Sequence, residues 1–405
     1  MSDSGFGIGL VGAGFINREA HAPSVDYLPD VHVAAIQNRT RERAVDLART
    51  CREQDRGDPN VYADGELTDL AHDPTVDAVW VATPNFVRVE TVDTLIDAVE
   101  SGATLQGIAL EKPIARTLAE ARRIIDRIES VDVPHAYLEN WVHEPDIDDL
   151  RTLLWERGRD AGRPYLARSK AEHGGPHSGW FWDGKKQGGG ALTDMLCHSL
   201  GGNDYLLRDP DGEGTLRPVS VSADTETLKW ARESYAEELR EAYGVDYERS
   251  PSEDYARVTV RYEDEDGNPV VSEATGSWCF VGSGVSRNVE LLGPEYSGQV
   301  RSDDDSSSVF FSDALSDDSE GWAEKQTATS GRMPISAATV VTSGFVAENR
   351  DAVRSFRAGE NARLDLADGE RILRLCMAAY KAAEHGERVD LADTSLVSYT
   401  PPPAR

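Results

Sequence analysis

Phe6-Gly-Ile-Gly-Leu-Val-Gly12-Ala-Gly14 carries a short, mainly apolar run into two glycines spaced one residue apart. Apolar residues resume in Val31-His-Val-Ala-Ala-Ile36, so the opening reads as strand, glycine turn, helix, strand. Ala44, Leu47, Ala48 and Cys51 then follow helical spacing from Arg41, and Val76 to Ala82 is another buried-strand candidate. Alternating strands and helices predict a parallel α/β sheet. In that setting the glycines let the backbone approach a pyrophosphate, with the N–H groups of the following helix as donors. Asn17 stands at the third glycine position of the pattern.

Further along, Thr117 with Glu120 forms a capping box ahead of Leu118, Ala121, Ile124, Ile125 and Ile128, and Val131 to Asn140 returns as a strand. The first domain is therefore expected over 1–140 and a second over 141–405. Ile147, Leu150 and Leu154 begin an amphipathic helix. Pro164–Lys170, Ala256–Tyr262 and Val270–Ser277 read as strands, the last two joined by the turn residues 263–269 into an antiparallel hairpin. This part is α+β. Asp209–Gly214 and Ser302–Glu320 are acidic loops, with a strand candidate at Val309-Phe-Phe311. Ala337–Ala358 and Asp368–His385 have helical periodicity and could pack on either domain.

The formal charge is −30, from 72 acidic and 42 basic residues of which only seven are Lys. Such a chain repels phosphate backbones, so nucleic acid is not an expected partner. Working in concentrated salt is expected instead, because the Debye length is about 3 Å at 1 M. Four scattered cysteines without C-x-x-C suggest neither disulfides nor a cysteine zinc site. The Met-Ser-Asp-Ser-Gly start lacks a basic n-region and no apolar run reaches bilayer length, so a cytoplasmic protein without membrane attachment is expected.

Chemistry-bearing residues recur at strand ends. After the second strand, Ile36-Gln-Asn38-Arg39-Thr-Arg41 has no acid until Glu42. A carboxylate there would bind the ribose hydroxyls of NAD, whereas Asn38 with Arg39 and Arg41 suits a 2′-phosphate, so NADP(H) is favoured and NAD(H) is the alternative. Glu111-Lys112-Pro113 follows the strand-like Gly107-Ile-Ala-Leu110, which aims Lys112 at the cleft beyond the sheet. His173, His177 and His198, with Trp180, Phe181 and Trp182, offer imidazole donors and flat faces suited to a polyhydroxylated substrate. Gly188-Gly-Gly-Ala-Leu-Thr-Asp194-Met-Leu-Cys-His198 places an acid and a histidine at i and i+4 on one face of a helix opening after flexible glycines. No metal-ligand spacing is present, and no metal is expected.

Together, Gly12-Ala-Gly14-Phe15-Ile16, Ala82-Thr83-Pro84-Asn85, Glu111-Lys112-Pro113 and Gly188–His198 resemble the glucose-fructose oxidoreductase/inositol dehydrogenase (Gfo/Idh/MocA) family, over residues 6 to about 200. The resemblance implies an N-terminal Rossmann domain and a C-terminal α+β domain with a large, mostly antiparallel open sheet, assembled as homodimers or homotetramers. It implies an NAD(P)-dependent dehydrogenase of a sugar, sugar acid or polyol, with Lys112, Asp194 and His198 catalytic. The glycine, Thr-Pro-Asn and Glu-Lys-Pro motifs would bind cofactor, and Lys112, His173, His177, Trp180, Asp194 and His198 the substrate. A cofactor-recycling enzyme and a non-catalytic dinucleotide or sugar sensor are the rival readings. Asn17, Asn38, Arg88 and a long Gly102–Glu111 segment depart from the family pattern.

Overall fold

The computed structural model describes residues 5–212, 215–249, 251–282, 284–301, 308–311, 331–334 and 339–405. The chain forms two compact units, one of Met1–Glu144 with Val340–Arg371 and one of Pro145–Thr339 with Ile372–Arg405.

In the first unit, β1 (Phe6–Val11), β2 (Val31–Gln37), β3 (Asn60–Tyr62), β4 (Ala78–Val81), β5 (Gly107–Glu111) and β6 (His135–Leu138) form a parallel sheet ordered β3-β2-β1-β4-β5-β6. Every residue of β1, β4 and β5 is buried, which is why these strands read as apolar runs rather than alternations. The strand order reverses between β1 and β4, and ligands of such sheets bind beyond the carboxyl ends at that point. Helices Arg41–Glu53, Leu67–Ala71, Arg88–Glu100 and Leu118–Glu129 serve as crossovers. The core joins Phe6, Ile8, Leu10, Val33, Ile36, Leu47 and Trp80 to Ala352, Val353 and Phe356 of the returning helix Phe345–Ala358.

The second unit carries β7 (Leu166–Glu172), β8 (Arg217–Glu226), β9 (Tyr255–Glu263), β10 (Pro269–Ser277), β11 (Ser286–Leu292), β12 (Ser297–Arg301) and, late in the chain, Val389–Asp390. These seven strands form one sheet in which β7 and β10 are parallel and every other pair is antiparallel. Alternating burial along β9 shows one solvated face, as antiparallel sheets permit. The predicted hairpin is present, with Pro269 opposite Glu263. Strands Ser308–Phe311 and Gly331–Pro334 form a separate antiparallel pair. The rest of the acidic stretch 302–320, and residues 213–214 of the other acidic loop, lie outside the described residues.

Several sequence expectations are corrected. The strand expected over 131–140 is confined to His135–Leu138, because Asp132 adopts a positive φ of 54° and turns the chain first. The helix expected over 337–358 begins at Phe345, since Gly344 (φ 83°) breaks it from Thr339–Thr342. The capping box is half formed. Thr117 accepts from the Glu120 N–H at 3.3 Å, but the Glu120 carboxylate turns to the Arg116 N–H and guanidinium, where it gains an ion pair.

Candidate active site

The turn after β1 is built by close approach. Gly12 has φ 100°, and a Cβ there would stand 2.9 Å from the Ala82 carbonyl oxygen. Around Gly14, by contrast, a Cβ would meet no heavy atom within 4 Å. The amide of buried Asn17 donates to the Gly12 carbonyl at 2.5 Å, so the residue in the third glycine position clasps the turn through its side chain. The Asn38 Oδ1 accepts from the Ala13 N–H at 3.0 Å and its Nδ2 donates to the Thr40 carbonyl at 2.9 Å, tying the end of β2 to the turn. Phe15 and Ile16 are half-buried, entering a π-wound turn over Asn17–His21. Arg39 is exposed, while Arg41 pairs with Glu66 at 3.3 Å.

Beyond β4 and β5, one buried arginine organises the loops. Arg88 donates to the carbonyls of Thr83 (2.8 Å), Glu111 (2.7 Å) and Pro113, cross-linking the Thr83-Pro84-Asn85 and Glu111-Lys112-Pro113 segments. The Thr83 hydroxyl is buried without a hydrogen-bond partner. Asn85 is buried, Pro84 and Lys112 half-buried. The Lys112 N–H donates to Leu138 O (3.2 Å) and to the Glu111 carboxylate (3.0 Å), whose other oxygen lies 3.0 Å from His21 Nε2. Burial pushes the Glu111 carboxyl up, but His21, Lys112 and Arg88 outweigh it and hold it below its ordinary range. The open space at Gly14, the unpartnered Thr83 hydroxyl and the exposed Arg39 are what a dinucleotide needs: a phosphate approach, a donor and a counter-charge.

In the second unit the glycines before Asp194 are not loose. A Cβ on Gly190 would fall 2.2 Å from the Glu253 carbonyl oxygen, and one on Gly189 1.9 Å from the Tyr380 hydroxyl. Buried Glu253 accepts through Oε1 from the N–H groups of Gly190 (2.9 Å) and Leu192 (3.0 Å) and from Tyr380 Oη (2.6 Å). Its burial, offset by these bonds, leaves its pKa raised to about 7. The following turn, Leu192–Leu196, is π-wound, a geometry common at functional sites, and passes into the α-helix Cys197–Leu207. Asp194 and His198 are both buried on these turns.

The Asp194 carboxylate accepts from Trp278 Nε1 at 2.9 Å and meets His173 Nε2 at 3.3 Å. Because the Gly175 N–H donates to His173 Nδ1 (2.9 Å), Nε2 carries the proton and is the donor to Asp194. His173 is thus brought to Asp194. Trp180 stacks on Phe181 at 3.8 Å, and exposed His177 lies 5.8 Å from the same ring. Trp182 is core, packed edge-on against Trp230, Trp278 and Tyr247. Glu253, Trp278 and His21 were missed by sequence reasoning, because each meets its partners across long separations that no spacing reveals, and Arg88 was noted only as a departure from the family pattern.

Residues 6–137 match the family model described as "Oxidoreductase family, NAD-binding Rossmann fold" (GFO_IDH_MocA), and residues 156–295 match the GFO/IDH/MocA C-terminal domain. An uncharacterized protein of Saccharomyces cerevisiae is 33% identical over 201 residues, 48% of this chain and 53% of that one. D-xylose 1-dehydrogenase [NADP(+)] of Haloarcula marismortui is 24% identical over 263 residues, 62% of this chain and 65% of that enzyme. The chain spans about half the length of most curated relatives it matches. Among solved structures, GenD2 from gentamicin A biosynthesis, in complex with NAD, superposes with a TM-score of 0.75 at 22% identity, covering 96% of each chain.

Proposed function

Because the chain belongs to the Gfo/Idh/MocA family of oxidoreductases, we propose that it is a dehydrogenase oxidising a hydroxyl of a sugar, sugar acid or polyol, with NADP preferred over NAD. The observation that carries the reading is the glycine turn, tightly built at Gly12 and open at Gly14, at the strand-order reversal of a parallel sheet. Gly12, Gly14, Phe15, Ile16 and Thr83–Asn85 would hold the dinucleotide, and Arg39 its 2′-phosphate. When bound, the dinucleotide supplies the hydride acceptor.

The chain's own residues supply position and proton traffic. His198 accepts the proton of the hydroxyl being oxidised, as a general base. Lys112 hydrogen-bonds the developing alkoxide. Asp194, its orientation fixed by Trp278 and His173, accepts a neighbouring substrate hydroxyl. His177 and Trp180 contribute a donor and a flat face for the sugar. The NADP(+) dependence of the Haloarcula marismortui xylose dehydrogenase supports the cofactor choice. A soluble homodimer or homotetramer belongs to the same reading; no helix among the described residues is long and apolar enough to cross a membrane.

A screen of aldoses, inositols and sugar acids with each dinucleotide in molar salt tests this. Cofactor reduction is expected with at least one class, and His198→Ala and Lys112→Ala should each lower kcat about 100-fold or more while dinucleotide binding survives. Near-normal turnover by His198→Ala would remove its role as base. Dinucleotide bound tightly with no turnover of any substrate would favour a sensor.

A further inference from the structure

The glutamate of the Glu-Lys-Pro motif also belongs to a cluster buried in the first unit. His21 at the end of the π-wound turn, Glu111 at the end of β5 and Glu348 in the helix Phe345–Ala358 place one donor atom each within 4.8 Å of the other two, and all three residues are buried. His21 Nε2 and Glu111 Oε1 are 3.0 Å apart. Both carboxylate oxygens of Glu348 are buried with no hydrogen-bond partner.

The imidazole is oriented from behind. Trp80 Nε1 donates to Asn349 Oδ1 at 2.6 Å and Asn349 Nδ2 donates to Ser24 Oγ at 2.7 Å, so the amide cannot be flipped. His21 Nδ1, 3.1 Å from the same Oδ1, must then be the protonated nitrogen. With a proton on Nε2 as well, the ring donates to Glu111; release of that proton to solvent as a cation enters turns the Nε2 lone pair toward the two carboxylates. Fixing the far nitrogen of a histidine by hydrogen bonding is how proteins prepare metal ligands. Nor does the neighbouring arginine, Arg88, bond Glu348, since its terminal nitrogens donate to the Thr83, Glu111 and Pro113 carbonyls and its Nε has no partner.

We propose that His21 Nε2, Glu111 and Glu348 form a binding site for one divalent first-row cation of the Zn(II)/Co(II)/Mn(II) class. One imidazole nitrogen and two carboxylates suit these ions. Two carboxylates neutralise a dication, and the ion gives Glu348 the partner that it lacks. The ion would clip together segments that the sequence keeps far apart, beside the backbone of Lys112, and its presence is independent of the activity proposed above. The trio has no motif spacing, which is why reading the sequence for metal signatures passes over it.

The test uses the full chain, stripped with chelator and dialysed against Zn(II), or against Co(II), in molar KCl so that the acidic surface is screened. Wild type should retain about one ion per chain, with a chelator-reversible rise in Tm. Glu348→Gln, which keeps shape and volume, should bind about 10-fold or more weakly and lose the Tm response. Equal binding by the variant would mean the ions sit elsewhere on the acidic surface and would overturn the proposal, as would no stoichiometric uptake by wild type. Should the variant fail to fold, the visible spectrum of the Co(II)-loaded wild-type protein decides. Bands of low-symmetry nitrogen/oxygen coordination support the site, and the spectrum of hexaaqua Co(II) refutes it.

Discussion

Asn38 shows how one residue can serve both a backbone and a preference. Its amide joins the glycine turn to the start of the next helix, so exchanging it changes structure and charge together. Arg39, exposed beside it, isolates the charge. Arg39→Ser should lower the ratio of kcat/KM for NADP over NAD by about 10-fold or more, the worth of a charged hydrogen bond of roughly 1.5–3 kcal/mol, with little change in Tm. An unchanged ratio would return Arg39 to a solvated helix start. Asn38→Asp should shift the preference the same way, but with lower stability, since the Thr40 carbonyl loses its donor. Glu253 is the other residue whose environment sets its behaviour. Tyr380, Tyr247 and Cys376 are near it, each pushed up by burial first and by its charge second, with Asp254 adjacent. Its folded pKa of about 7 lies above the ordinary 4.5. The folded chain therefore holds a proton that the unfolded chain has released between these values, and stability falls as pH rises through that window. Glu253→Gln should match wild type in unfolding free energy near pH 5 and exceed it above pH 8, by up to about 3 kcal/mol. A pH-independent difference would refute the shifted carboxyl.

Among elements, the parallel sheet was legible because its strands are buried on both faces, and the β9–β10 hairpin because its turn and its alternation agree. Other elements were hidden for physical reasons. The strands β8, β11 and β12 have partly solvated, charged sequences, and they are strands because the sheet supplies neighbours. The glycines ahead of Asp194 read as looseness, yet they are there because Glu253 and Tyr380 press against the backbone. The candidate site was legible in the same measure. Its glycine turn, Glu-Lys-Pro and Asp194–His198 are local signals, whereas the supports of Asp194 come from residues 173 and 278. Gly190→Ala tests this packing: with no room beside the Glu253 carbonyl, the π-wound turn must shift. Turnover should fall at least about 10-fold, while dinucleotide affinity, which belongs to the other unit, should hold. Wild-type kinetics in this variant would show that the turn is tolerant.

For the whole molecule, the excess of carboxylates shapes how charge is shared. Arg127 alone reaches Asp93, Asp97 and Glu100, Arg159 reaches Asp209 and Asp211, and Arg168 reaches Glu273 and Glu290. Exposed pairs of this kind contribute about 0–1 kcal/mol each, too little to offset a net charge of −30 in dilute buffer. Melting temperature and activity should therefore rise from millimolar to molar KCl. Indifference to salt across that range would remove the halophilic reading. The first unit is also discontinuous, closed by Val340–Arg371 after the chain has left it at Glu144. Phe356 from that late segment lies against Gly107 and Trp80 in the middle of the early sheet. During synthesis at ~5–20 residues per second, the roughly 200 residues between take on the order of 10–40 s to emerge. For that interval the nascent sheet keeps an apolar face uncovered, so the first third of the chain completes its core only when the last fifth has been made.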